Sequence, residues 1–349
     1  MPRLHPLHHL LALMLAALLS GSAVAVDTLR VLAWPGYADA DVVRAFEQRT
    51  GASVELTIVD SDQTLWDKVS HRQATEFDVF AVNTAELQRY IDSGLVVPID
   101  VADIPNRAAQ LPRFRDLSAL PGVIRDGQVY AIPYTYAAMG LIYDRRQFSA
   151  PPVSIAVLWD PRFKGKVLAY NSGTHNFALA AQKIGAASPF ALAEREWPAA
   201  VDALIALRRN VLTFYSQPEE SAELFVSRHA ALLFANYGTQ QLHLLRAAGA
   251  DVGYVLPEEG ALAWLDCWTV TRGARNRSLA AAWIDHLLGP EPAAALTTRH
   301  GLASTRAAPA HHADDERLAW LEPVESVDRR NQLWERIISG YRASRVLAP

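Results

Sequence analysis

LRVLAW at residues 29–34, VELTI at 54–58 and FDVFAV at 77–82 are three runs with the length and apolar pattern of β-strands. Helical patterns separate them, at about residues 42–46 and 65–69. Strand, helix, strand, helix, strand predicts a parallel, doubly wound α/β sheet. In such sheets ligands bind beyond the carboxyl ends of the strands.

Polar and aromatic residues follow each of these three strands. They are Trp34–Tyr37 after the first, Asp60–Asp62 after the second and Asn83–Thr84 after the third. Because the carboxyl ends of parallel strands meet at one edge of the sheet, these residues are the first candidates for a binding site.

The N-terminus has the pattern of a secretory signal peptide. Arg3 precedes the apolar run Leu10–Leu19, and Ala23–Ala25 supplies small residues for cleavage. We expect residues 1–25 to be removed after Ala25 and the protein to be exported. No later run reaches the eighteen or so apolar residues that a transmembrane helix needs.

The composition is that of a globular protein and excludes several classes. The chain has 349 residues, a formal net charge of −4 and one cysteine, Cys267. A single cysteine excludes an intramolecular disulfide framework and a thiolate metal cluster. The mild acidity argues against nucleic acid as a partner.

Residues 262–268 carry an unusual combination, a carboxylate between two indoles. Alternation along a strand places Leu262, Trp264, Asp266 and Trp268 on one face and Cys267 on the other. A buried carboxylate needs a partner, and a cation held between ring faces would supply one. Alternatively, the tryptophans belong to the core and Asp266 accepts backbone N–H bonds at the strand end.

A second α/β region follows the first. Residues 128–143 contain two strand-like runs around Pro133–Tyr136, where we expect the chain to cross between two lobes. A further strand at 167–170 leads through Asn171–Thr174 into a helix that begins near His175. Helical patterns also cover residues 198–209, 277–288, 315–321 and 325–341.

Five segments, in this order and spacing, resemble one family. They are Leu32–Tyr37, Phe77–Val79, Ala131–Tyr134, Phe163–Val167 and Trp264–Asp266. Together with the signal peptide they make the chain similar, over nearly its whole mature length, to the periplasmic spermidine/putrescine-binding proteins of bacterial ABC transporters.

The resemblance implies a two-lobed type II periplasmic-binding-protein fold with the ligand cleft between the lobes. It places lobe 1 at residues 26–133 plus 262–306 and lobe 2 at 134–261 plus 307–349. The implied function is that of the periplasmic substrate-binding component of an ABC importer, which captures a polyamine or related small organic amine. A monomer without cofactor or catalytic activity would deliver this ligand to an inner-membrane ABC permease.

The family's amine-binding positions fall on nine residues of this chain. Asp266 would pair with an ammonium group, and Trp34, Tyr37 and Trp264 would enclose the methylene chain. The complete set is Trp34, Tyr37, Asn83, Tyr136, Ser172, His175, Tyr237, Trp264 and Asp266.

The chain departs from the family where polyamine binders carry two further acids, since Ser172 and His175 occupy those positions. Each desolvated ammonium needs a partner. We therefore expect a ligand with one amine and a neutral or anionic far end, which the helix start near His175 would favour. Compensating acids are available from Asp60, Asp62, Glu219 or Glu220, with no basis for choosing among them.

His175 has two interpretations. A histidine in the cleft titrates near its reference pKa of about 6.5 and would make ligand binding pH-sensitive. Alternatively it is an ordinary histidine at a helix start that faces solvent.

Three other functions are alternatives to transport. The chain lacks the common hydrolase, metalloprotease, phosphate-loop and dinucleotide motifs of enzymes. Residues 311–316 contain metal-ligand residue types, but adjacent side chains on a helix diverge and a solvated loop is the simpler interpretation. A metal-binding transport protein of the same superfamily would need more hard ligands than one acid. A ligand sensor that signals to a receptor is indistinguishable from a transport protein by sequence.

Overall fold

The computed structural model describes residues 27–307 and 317–348. The predicted signal peptide and the cluster at 311–316 lie outside these residues. No helix within the described part of the chain is long and apolar enough to cross a membrane. The described chain is a mixed α/β protein built on two separate sheets, which confirms the predicted fold class.

The larger sheet has the strand order β14–β7–β13–β3–β1–β2, and short strands β4 and β15 also pair with β13. Strand β1 pairs in parallel with β2 and β3, as the sequence predicts, whereas β13 runs antiparallel to β3 and β7. Its strands are β1 (Thr28–Ala33), β2 (Ser53–Ile58), β3 (Val79–Asn83), β4 (Val96–Val97), β7 (Ile132–Ala138), β13 (Ala261–Thr271), β14 (Ala303–Ser304) and β15 (Leu318–Trp320).

The smaller sheet has the order β10–β9–β11–β8–β12. Strand β9 pairs in parallel with β10 and β11, and β8 runs antiparallel to β11 and β12. Its strands are β8 (Gly140–Asp144), β9 (Val167–Tyr170), β10 (Val211–Tyr215), β11 (Leu232–Ala235) and β12 (Val252–Val255), while β5 (Ile124–Arg125) and β6 (Gln128–Val129) form a separate hairpin.

Twelve α-helices cover the described chain around these sheets. Several begin with side-chain caps that the sequence supplies, such as Ser61, Asn83 and Ser172. The helices are α1 (Ala40–Thr50), α2 (Asp62–Ser70), α3 (Thr84–Asp92), α4 (Pro112–Arg115), α5 (Gly173–Ile184), α6 (Trp197–Asn210), α7 (Pro218–Ser227), α8 (Thr239–Ala247), α9 (Arg277–Leu287), α10 (Pro290–His300), α11 (Val327–Ile338) and α12 (Ala343–Val346).

Three connections join the two sheets. The chain passes from β7 to β8 at Met139, from β12 to β13 through residues 256–260, and from β15 to α11 through residues 321–326. The expected lobe boundary at 133/134 therefore falls inside β7, whose pairing with β13 continues to Ala138. The predicted helix at 315–321 is wrong, because Leu318–Trp320 is a strand paired with β13.

Backbone segments approach closely at the first connection, and glycine permits this. A Cβ on Gly140 would lie 2.6 Å from the Tyr254 ring. Gly238 has a φ of +53°, and a Cβ there would lie 2.7 Å from the carbonyl oxygen of Ala138. A larger residue at Gly238 would push the start of α8 away from the end of β7, and one at Gly140 would displace the Tyr254 ring within the smaller sheet.

A buried ion pair holds the larger sheet together behind the strand ends. The guanidinium of Arg30 in β1 lies 2.6 Å from the carboxylate of Asp78, and both side chains are almost fully buried. The same carboxylate accepts hydrogen bonds from the backbone N–H groups of Arg30 and Arg275. Asp78 thus links β1, the start of β3 and the loop after β13.

We expect Asp78→Ala to lower the free energy of unfolding by about 3–5 kcal/mol, because it leaves the Arg30 charge buried without its partner. Urea unfolding followed by circular dichroism measures this change. The matched control is Asp251→Ala, which removes the partner of the exposed Arg145 and should leave stability nearly unchanged. Equal losses of unfolding free energy in the two variants would contradict a stabilising role for the buried Arg30–Asp78 pair.

Candidate functional site

A cavity of about 430 Å³ lies between the two sheets and is lined by residues from both. From the side of the larger sheet come Trp34, Tyr37, Asp60, Asp62, Asn83, Glu86, Arg89, Trp264 and Asp266. From the side of the smaller sheet come Tyr170, Ser172, His175, Glu219, Asn236, Tyr237, Trp334 and Glu335. Eight of the nine residues that the resemblance singled out therefore line one cavity.

Strand pairing explains why the polar residues meet. Asp266 in β13 lies directly opposite Asn83 at the end of β3. Trp34 follows β1 and Asp62 follows β2, the next two strands of the sheet. The carboxyl ends of three parallel strands and the middle of an antiparallel strand thus form one wall of the cavity.

Asp266 is the most deeply buried acid of this wall, with 7% of its surface exposed. The Tyr37 hydroxyl donates a 2.5 Å hydrogen bond to its Oδ2. Burial raises the pKa of the Asp266 carboxyl to about 7, although the bond from Tyr37 acts in the opposite direction. The hydrogen bond to Asp266 comes from the Tyr37 side chain, whereas the alternative interpretation expected backbone N–H donors.

Two further acids, Asp62 and Glu86, line the same cavity. The sequence offered Asp62 as one of four compensating acids, whereas Glu86 was not among them. The Asn83 amide donates to Asp62 Oδ1 at 3.2 Å, and Arg89 lies 2.7 Å from the carboxylate of Glu86. Burial and the neighbouring charges of Glu86 and Asp266 raise the pKa of Asp62 to about 8. Burial also raises the pKa of Glu86. The protein thus gathers more acidic groups here than it has cations to pair with them.

The indoles around the cavity are held by hydrogen bonds of their own. Trp34 Nε1 donates to the carbonyl of Ala81 at 3.1 Å, and Trp264 Nε1 donates to the carbonyl of Asn236 at 2.9 Å. Trp334 Nε1 donates to the side-chain oxygen of Asn171 at 2.9 Å. Each ring is therefore fixed in orientation, and its apolar face remains available to a methylene chain or an ammonium group.

Tyr136 does not line the cavity, which contradicts its predicted place in the site. It lies opposite Leu265 in the β7–β13 pairing, and cross-strand partners share a face. Leu265 points away from the face of Asp266 because neighbouring residues of a strand alternate. The Tyr136 ring instead packs on Phe114, with ring centroids 4.9 Å apart, and its hydroxyl accepts a hydrogen bond from Arg113.

Trp268 shares the face of Asp266 but belongs to the core. Its ring is fully buried against Tyr134 and Trp283. Cys267 is buried and unpaired, as expected for a small apolar side chain. Of the two tryptophans beside Asp266, only Trp264 faces the cavity.

The wall opposite Asp266 begins at helix α5. Ser172 caps this helix, since its hydroxyl accepts a 3.4 Å hydrogen bond from the backbone N–H of His175. His175 lines the cavity beside Tyr170, so it does not simply face solvent. Burial, together with the charge of Arg330, lowers its pKa to about 4. His175 is therefore neutral near pH 7, and the expected titration near 6.5 is wrong.

Glu86, Arg89, Trp334 and Glu335 are cavity residues that the sequence analysis missed. Helix α3 starts directly after Asn83, so the spacing of Glu86 and Arg89 was a usable signal: residues three apart share a helix face. Trp334 and Glu335 lie in α11, which joins the site from the far end of the chain. No local sequence pattern indicated that these two residues of α11 line the cavity.

Comparison with known proteins agrees with this architecture. Over 288 residues the chain is 26% identical to the spermidine/putrescine-binding periplasmic protein of Escherichia coli strain K12, covering 82% of this chain and 80% of the relative. A solved structure named for spermidine/putrescine ABC transport in Listeria monocytogenes superposes with a TM-score of 0.77 at 24% identity, covering 90% of this chain and all of the other.

Another solved structure, titled the Atu4243 GABA receptor, superposes with a TM-score of 0.69 at 18% identity and covers 90% of this chain and 99% of the other. The shared fold therefore accommodates more than one ligand class. Residues 41–316 match the family described as bacterial extracellular solute-binding protein, which is a family of transport components and not of enzymes. The chain belongs to this family of bacterial extracellular solute-binding proteins.

Proposed function

We propose that this protein is the periplasmic substrate-binding component of an ABC importer and that it captures a polyamine or related small organic amine. The observation that carries the proposal is the buried carboxylate of Asp266, which lies in the inter-sheet cavity beside Tyr37 and the indole of Trp264. An ammonium group pairs with such a carboxylate and also interacts favourably with the ring faces.

The charge balance of the cavity supports a cationic ligand. Among the described residues that line it, the acids outnumber the single arginine, Arg89, and His175 is neutral. The acids are Asp60, Asp62, Glu86, Glu219, Asp266 and Glu335. A cation neutralises part of this charge and so stabilises the cavity it occupies.

Closure of the two lobes on the ligand completes the mechanism. The three connections between the sheets form the hinge, and we assign residues 27–138, 261–307 and 317–320 to lobe 1 and residues 140–255 and 327–348 to lobe 2. A ligand drives closure only through contacts that are more favourable in the closed form than in the open form. Asp266 on one wall and Tyr170 or Tyr237 on the other supply such contacts, and the closed form would then dock on an inner-membrane permease.

A second candidate ligand is an amine-bearing acid. Arg89 offers its guanidinium to a carboxylate, and the N-terminus of α5 lies on the facing wall. The solved GABA receptor shows that the fold serves such a ligand in another protein. A bound metal ion has less support, since no three His, Cys, Asp or Glu residues in the described part of the chain are arranged so that they could hold one.

We expect Asp266→Asn to weaken amine binding by at least about tenfold, because it removes a charge-assisted contact while keeping the side chain's shape. Isothermal titration calorimetry with putrescine, spermidine and 4-aminobutanoate measures the affinities and ranks the ligand classes. Asp251→Asn, an exposed acid remote from the cavity, is the matched control. Unchanged affinity in Asp266→Asn would remove this carboxylate from the site.

We also expect the affinity for an amine to rise between pH 6 and pH 8.5 and then level off. The carboxyls of Asp266 and Asp62, with pKa values of about 7 and 8, are partly protonated at neutral pH. An ammonium ligand favours their ionised forms, so binding releases protons.

Calorimetry in two buffers of different ionisation enthalpy counts the protons released at pH 7. His175, with its pKa of about 4, contributes nothing over this range. An affinity independent of pH, with no proton released, would contradict the raised pKa values of Asp266 and Asp62.

A further inference from the structure

Asp62 is a cavity acid that has no role in binding an amine at Asp266. Asp62 lies at the first turn of α2, directly after the N-cap Ser61, and lines the same cavity. Within the described chain, the hydrogen bond to its carboxylate comes from a neutral group, the Asn83 amide at 3.2 Å. Arg89 bonds the main-chain oxygen of Asp62 at 3.0 Å instead of its carboxylate.

Glu86 is the other nearby acid, but it already has a cation. Arg89 lies 2.7 Å from its carboxylate, and the same guanidinium stacks over the Trp66 ring at 4.4 Å. This pair neutralises one of the three clustered acids. The remaining two, Asp62 and Asp266, retain unneutralised carboxylates that face each other's charge.

A second observation points to a ligand rich in N–H donors. Asn236 is 4% exposed and lines the cavity, yet its side-chain oxygen has no hydrogen-bond partner among the described residues. A buried amide oxygen without a donor costs free energy until a ligand supplies one. An ammonium group has three N–H donors and can satisfy such an acceptor in addition to a carboxylate.

We propose that Asp62 forms a second ammonium subsite, so that the preferred ligand is a diamine with one amine at Asp266 and the other at Asp62. This inference rests on the proposed function. It replaces the ligand with a single amine that follows from Ser172 and His175 alone. The second ammonium group of the ligand would pair with an acid on lobe 1, beside the end of β2, and not at the start of α5.

The test compares two probes that differ by one amine, butane-1,4-diamine and butylamine. Both are titrated at pH 8.5 into the wild-type protein, Asp62→Asn and Asp266→Asn. We expect the wild-type protein to bind the diamine at least about tenfold more tightly than the monoamine, because only the diamine makes a second charge-assisted contact. Diamines of three and five carbons then locate the best spacing.

In Asp62→Asn we expect the diamine to lose about 10- to 100-fold in affinity and the monoamine to change little. Asparagine keeps the oxygen that accepts from Asn83, so the local structure should persist, and equal unfolding temperatures confirm this. Asp251→Asn is the control, since Asp251 is an exposed acid that does not line the cavity. It should leave both affinities unchanged.

The outcomes separate the two proposals. An unchanged diamine-to-monoamine ratio in Asp62→Asn, or an equal loss in Asp251→Asn, would overturn the second subsite while leaving amine binding at Asp266 intact. No preference for the diamine in the wild-type protein would overturn it as well. Full monoamine affinity in Asp266→Asn would instead overturn the proposed function.

Discussion

The carboxylate of Asp266, buried in the middle of β13 and held by the Tyr37 hydroxyl, is the constraint on which the site depends. Its position requires that β13 return antiparallel beside β3, because this pairing places Asp266 opposite Asn83. The parallel strands β1 and β2 then bring Trp34 and Asp62 to the same wall. The sheet order thus converts residues distant in sequence into one acidic, aromatic surface.

Such a wall is unfavourable to the ligand-free protein. Burial raises the pKa values of Asp62, Glu86 and Asp266 together, which means that their charged forms are destabilised. A cation between them removes part of this cost. In the proposed function this gain is largest when both lobes enclose the cation and exclude water, so the acids proposed to select the ligand would also favour closure.

Ser172 and His175 stand where the family resemblance predicts two further acids, so we expect positive charge to be met elsewhere in the cavity. Lobe 2 presents a helix cap and a neutral imidazole at this place. Lobe 1 carries the concentrated negative charge instead, and Arg89 limits it by pairing with Glu86. The cavity acids Asp60, Asp62, Glu86 and Asp266 thus lie on lobe 1, and Glu219 and Glu335 lie on lobe 2.

The sequence by itself determined the alternation of strands and helices, the strand-end positions of Trp34 and Asn83 and the face shared by Trp264 and Asp266. These depend on local periodicity and chain order. Only the tertiary structure decided that Tyr136 faces the core, since its face depends on its register opposite Leu265. It also decided that Asp62 is the acid that joins Asp266, because the proximity and burial that raise its pKa arise from packing between elements distant in the chain.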